Sequence, residues 1–76
     1  KEILLNNINL LLIDKIDKPM LVDLKTRYST KSAKATIIQN ENTIKVTFEE
    51  PQRAITPGQS AVFYINDIVL GGGKIM

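Results

Sequence analysis

Neither cysteine nor histidine occurs among the 76 residues. Without cysteine there is no disulfide and no thiolate to bind a metal or attack a substrate. Without histidine the commonest general base and metal ligand is missing. The aromatics reduce to Tyr28, Phe48, Phe63 and Tyr64. Long apolar runs are missing too. The run over residues 8–13 is interrupted by Asn9, and a membrane-spanning helix needs about 20 apolar residues. Carboxylates are present, but Glu49 and Glu50 adjoin and would point to opposite faces of a strand. They do not form the facing pair that glycoside hydrolysis uses. No catalytic residue, metal site or cofactor site is therefore expected in this chain, and no membrane partner.

What is present is ordinary for a small globular domain: 43% hydrophobic and 24% charged residues. Residues 1–76 suffice for a single domain. A chain this short buries roughly 60% of its unfolded surface, so its core must be efficient. The lack of cysteine fits a reducing cytoplasm. The sequence opens at Lys1 with no signal-peptide pattern. It is expected to be a piece of a longer protein, although loss of an initiator methionine would read the same.

Alternation of apolar and polar residues carries the fold prediction. Over residues 20–28, Met20, Val22, Leu24, Thr26 and Tyr28 share one face, and Leu21, Asp23, Lys25 and Arg27 the other. That period of two is a strand with one face in a core. Ala35 and Ile37 mark the inner face of a second strand. Ile44, Val46 and Phe48 mark a third, returning after a turn at residues 40–42. Pro51 stops it, because a central strand cannot lose its amide donor. Thr56-Pro57-Gly58-Gln59 reads as a Pro-Gly turn, with the glycine at positive φ. Residues 60–65 form a strand with Phe63 inward, Asn66-Asp67 its turn, and residues 68–70 its partner. Residues 14–19 are polar, end in proline and read as a loop. Residues 3–13 are ambiguous; two short strands around an Asn6-Asn7 turn, or a strand plus a turn, fit best. Strands at this spacing with no convincing helix predict an all-β, six- or seven-stranded antiparallel barrel, since closure removes exposed sheet edges.

The glycine triplet 71–73 could suggest a phosphate cradle, but such loops need a helix N-terminus after them. A bulge or a close backbone approach at a barrel corner is the expected role.

The net charge of +2 is small, but residues 20–40 carry Lys25, Arg27, Lys31 and Lys34 against Asp23 alone. Like charges side by side on a hairpin repel unless something offsets them. An RNA phosphate run would do so; a solvated face whose lysines discourage edge pairing is the other reading. Arg53, in the loop before the Pro-Gly turn, can reach a phosphate or a base edge, or pair with Glu49 or Glu50. Tyr28 can stack on a base or sit at the core rim with its hydroxyl in water. The candidate RNA-binding set is therefore Lys25, Arg27, Tyr28, Lys31, Lys34 and Arg53.

Three stretches resemble the C-terminal domain of bacterial tRNA-specific 2-thiouridylases. They are LKTRYSTKSAKATI (residues 24–37), FEEPQRAITPGQSAVFY (residues 48–64) and IVLGGGKI (residues 68–75), in the family's order. The resemblance covers about two-thirds of the chain. It implies a barrel similar to domain 2 of translation elongation factors, helping to hold tRNA against a catalytic domain. The whole enzyme of that family replaces the 2-oxygen of the wobble uridine with sulfur in glutamate, lysine and glutamine tRNAs. It uses ATP and a cysteine persulfide, neither of whose sites matches this chain. A second expectation keeps the barrel as a scaffold, docked on the catalytic domain or a sulfur-relay protein. A third is a free-standing binding barrel. Lys25, Arg27 and Tyr28 match the family's basic strand. Ser29, Lys31 and Ser32 stand where the family is often richer in arginine, lysine or glutamine.

Overall fold

The computed structural model describes residues 2–11, 14–26, 32–50, 52 and 55–76. Six strands follow in order: β1 Glu2–Leu10, β2 Met20–Thr26, β3 Ala33–Asn40, β4 Thr43–Phe48, β5 Ser60–Ile65 and β6 Ile68–Ile75. They close into one antiparallel barrel in the order β1-β4-β3-β2-β5-β6, with β6 pairing back onto β1.

Many of the inward residues are those of the sequence alternation, although Met20 and Thr26 are only half-buried. Val22 and Leu24 of β2, Ala35 and Ile37 of β3, Ile44, Val46 and Phe48 of β4, and Phe63 of β5 are all buried. Their outward neighbours Leu21, Lys25, Lys34 and Lys45 are exposed. No polar or charged side chain among the described residues is buried in the core. Aliphatic groups and two phenylalanine rings fill the barrel's interior.

Turns fall where the chemistry places them. Gln59 N–H donates to the Thr56 carbonyl at 3.2 Å, and Gly58 takes φ +91 between them, as the Pro-Gly turn requires. Asn66 and Asp67 both hold positive φ and link β5 to β6 as a two-residue hairpin. At the β3–β4 turn the left-handed residue is Glu41, not an asparagine.

Three features differ from the sequence reading, the first being that β6 runs from Ile68 to Ile75 through the glycine triplet and does not stop at residue 70. Residues 2–10 are one strand, not two strands about an Asn6-Asn7 turn. Asn7 at φ 49 is a bulge: the pairing of β1 with β6 shifts register between Asn6 and Asn9. The bulge bends β1 enough for it to pair with β4 through its first half and with β6 through its second. The third feature is Ile16. In the polar loop it is the one aliphatic residue of the segment 14–19, and it is 1% exposed. Gln39 clamps it from both sides. The Ile16 amide donates to Gln39 Oε1 at 2.9 Å, and the Gln39 amide donates to the Ile16 carbonyl at 3.1 Å. The loop thereby folds back over one end of the barrel and stoppers the core.

The glycine triplet lies within β6 as a close backbone approach. A Cβ on Gly71 would run into the Asn9 carbonyl oxygen, and one on Gly72 into the Ala61 carbonyl oxygen. A Cβ on Gly73 would come within 2.8 Å of the Asn6 carbonyl. Leu70 is an extra residue opposite β5, since Phe63 pairs with Gly71 and Tyr64 with Val69. Bulge and glycines together let β6 turn the tight corner between β5 and β1.

Candidate nucleic-acid interface

A closed barrel with an apolar core leaves its outer wall and its two ends for function. Of the six residues in the candidate set, Lys25 and Lys34 fall within the described residues; Arg27, Tyr28, Lys31 and Arg53 lie outside them. Lys25 points outward from β2, and Lys34 outward from β3.

The two lysines stand in different electrostatic settings. The β2–β3 register places Asp23 opposite Lys34, with Nζ 3.5 Å from the carboxylate. The Lys34 side chain is 62% exposed and that of Asp23 is 32% exposed, so the pair contributes less than about 1 kcal/mol. It does supply the offset that a like-charged hairpin requires. Glu49 and Glu50 share a surface cleft with Lys34, which lowers the positive potential on that side further. Lys45, on β4, is tied in the same way to Glu2 at 3.5 Å.

Lys25 stands apart from these pairs. Neither it nor Lys74 on β6 pairs with a carboxylate among the described residues. Lys25 lines a hollow of about 380 Å³ with Thr26, Ser60, Val62 and Tyr64. Lys74 borders a second hollow of about 340 Å³ over the glycine run, walled by Val62, Val69 and Leu11. The unneutralised positive charge of the described wall therefore lies on the β2–β5–β6 side, not on β3. Charge followed along the sequence does not point to Lys74, because it comes after the glycine triplet and outside the basic segment. The cross-strand pairing of Ser60 with Lys74 brings it to the same wall.

No group of three or more carboxylates that could hold a metal occurs among the described residues, and no helix among them is long and apolar enough to cross a membrane. The wall offers cations, hydroxyls, an aromatic ring and bare backbone. That inventory suits binding to an anionic polymer.

The family model described as an aminomethyltransferase β-barrel domain matches residues 1–75. The tRNA-specific 2-thiouridylase MnmA of Clostridium perfringens is 53% identical over 75 residues, covering 97% of this chain. The protein of the same name from Acetivibrio thermocellus is 51% identical over 76 residues, covering 99%. In both cases the chain spans 21% of the relative's length. The chain belongs to the aminomethyltransferase β-barrel domain family and, within it, to the barrels of the tRNA-specific 2-thiouridylases.

Proposed function

We propose that this barrel is the tRNA-contacting part of a 2-thiouridylase and takes no part in the sulfur chemistry. The observation that carries the reading is Lys25, without a carboxylate partner among the described residues, on the outer wall of a barrel about half identical to those of 2-thiouridylases. In the sequence alternation Arg27 falls on the same face as Lys25. These cations would meet backbone phosphates, which fix affinity and register and carry little base information. The substrates on this reading are glutamate, lysine and glutamine tRNAs, met in the cytoplasm. ATP, the persulfide and the cysteine that bears it would belong to the rest of a longer polypeptide, since this chain has no cysteine.

The test is tRNA binding by the full-length protein across a salt series. Changing Lys25 and Arg27 together to alanine should lower the slope of log affinity against log salt by about one for each phosphate left without its cation. An unchanged slope would refute the assignment.

One observation favours the scaffold reading as a second. An apolar groove of about 630 Å³ runs beside the start of β1, lined by Ile3, Leu4, Ile55, Pro57 and Met76. Leu4 and Met76 are half exposed there. Relatives about five times longer than this chain carry further polypeptide that could cover it. Leu4→Asp would then weaken packing in the full-length protein while the isolated barrel kept its stability; equal effects on both would sink the docking role.

A further inference from the structure

The glycines of β6 are needed to bring β6 against β1 and β5, and they have a consequence on the outside of the barrel. Pairing aligns Lys25 of β2, Val62 of β5, Gly72 of β6 and Asn9 of β1 in one row across four strands. In that row Gly72 presents bare backbone where its neighbours present side chains. The two hollows described above share Ser60 and Val62, so they adjoin along the row as a trough with those two side chains between them. Tyr64 walls it at one end and Leu11 at the other. Val62 and Val69, on its apolar sides, are about two-fifths exposed.

Cations line this trough, and the acid beside it, Asp23 opposite Tyr64, is paired with Lys34. Lys25 and Lys74 flank it without carboxylate partners among the described residues, and no carboxylate of those residues lines either hollow. Two strand spacings, about 10 Å, separate β2 from β6. A flat floor, an aromatic wall and a cation at each side are the components that single-stranded nucleic acid uses: backbone tracked by lysines, bases or riboses laid on apolar and aromatic groups. An acidic protein surface would satisfy the lysines but would leave the bare backbone and the tyrosine without a matching flat group.

We propose that the RNA interface extends from β2 across β5 onto β6, with the trough over Gly72 receiving a short unpaired stretch of RNA between Lys25 and Lys74, against Tyr64 and Val62. The inference rests on the RNA-contact reading above and adds β5 and β6 to it.

The test titrates the full-length protein with an unmodified tRNA transcript at several salt concentrations. Lys74→Ala should lower the salt slope by about one, and Lys74→Arg should retain it. Tyr64→Ala should weaken binding about five-fold or more with the slope unchanged, the effect expected for one stacked base. Circular dichroism verifies that each variant folds; the exposed Lys74 keeps the test decisive if Tyr64→Ala does not. If the Lys25-Arg27 double variant lowers the slope while Lys74→Ala and Tyr64→Ala bind like the parent, RNA stays on β2 and the extension is wrong. If no variant changes binding, the RNA-contact reading itself falls, and the extension with it. If the β5 and β6 variants leave tRNA binding intact but lower the melting temperature of the full-length protein more than that of the barrel alone, the trough docks protein and the extension is overturned.

Discussion

Replacing Ile16 with alanine removes the stopper from the barrel end. Ile16 is 1% exposed and belongs to the core cluster, with Leu5, Ile37 and Phe63 among its members. Isoleucine-to-alanine changes in cores cost about 2–5 kcal/mol, more when the site cannot collapse. Here the backbone of Ile16 is pinned by two hydrogen bonds to Gln39, so the loop cannot sink into the gap. Its position at a barrel end allows some repacking or water entry. A destabilisation of about 3 kcal/mol follows. A domain of this size holds roughly 4–11 kcal/mol in total, so the variant stays folded but gives up a large share of its margin. Urea unfolding of the 76-residue chain, followed by circular dichroism, reads this directly. With a slope near 1 kcal/mol per molar, about the value for so small a protein, the midpoint should fall by about 3 M. Leu21→Ala is the control: Leu21 is 54% exposed on the outer wall, and its truncation should cost no more than about 0.5 kcal/mol. Equal midpoint shifts for the two variants would show that Ile16 is not part of the core in solution.

Two further changes probe the backbone. Gly72→Ala should cost at least about 2 kcal/mol, because the added methyl meets the Ala61 carbonyl and strand separation must increase; a neutral midpoint in the same urea experiment would refute the close approach. Asp67→Gly should raise stability by about 0.5–1 kcal/mol, since Asp67 sits at φ 68 in a two-residue hairpin whose second position favours glycine; a drop in midpoint would show that the Asp67 side chain contributes to the hairpin.

The legible parts of the sequence are those with a local cause. β4 alternates strictly and β2 and β3 alternate apart from the outward Leu21 and Ile38, so their inward faces follow from the spacing of Val22, Leu24, Ala35, Ile37, Ile44, Val46 and Phe48. The turns at residues 56–59 and 66–67 follow from residue types. The illegible parts have non-local causes. Asn7 becomes a bulge because β1 must serve two neighbours at once, β4 and β6, and nothing within residues 2–10 announces either. Ile16 is one aliphatic residue in a polar loop; its burial depends on Gln39, 23 positions away. At the candidate site, the basic segment is visible in composition. The sorting of its lysines is not, because it depends on the register that sets Asp23 against Lys34. Arg27, Tyr28, Lys31 and Arg53 lie outside the described residues. Lys74 reaches the same wall through pairing of β5 with β6, a relation invisible to a reading that follows charge along the chain.

The seam between β1 and β6 governs how such a chain can be made. Leu5 pairs with Ile75, and the Met76 amide donates to the Leu4 carbonyl at 2.9 Å. The first strand therefore finds one of its two partners in the last. During synthesis the nascent chain can assemble β2 to β4 early, since those hairpins are local. Until β6 leaves the ribosome, however, β1 and β5 each keep a row of unpaired amides and carbonyls, the kind of edge that recruits other chains. Joining residues so far apart in sequence is slow relative to local pairing. A growing polypeptide stalled before residue 70 would thus be a substrate for chaperones or for aggregation, and one with its seam closed would withdraw both edges from either.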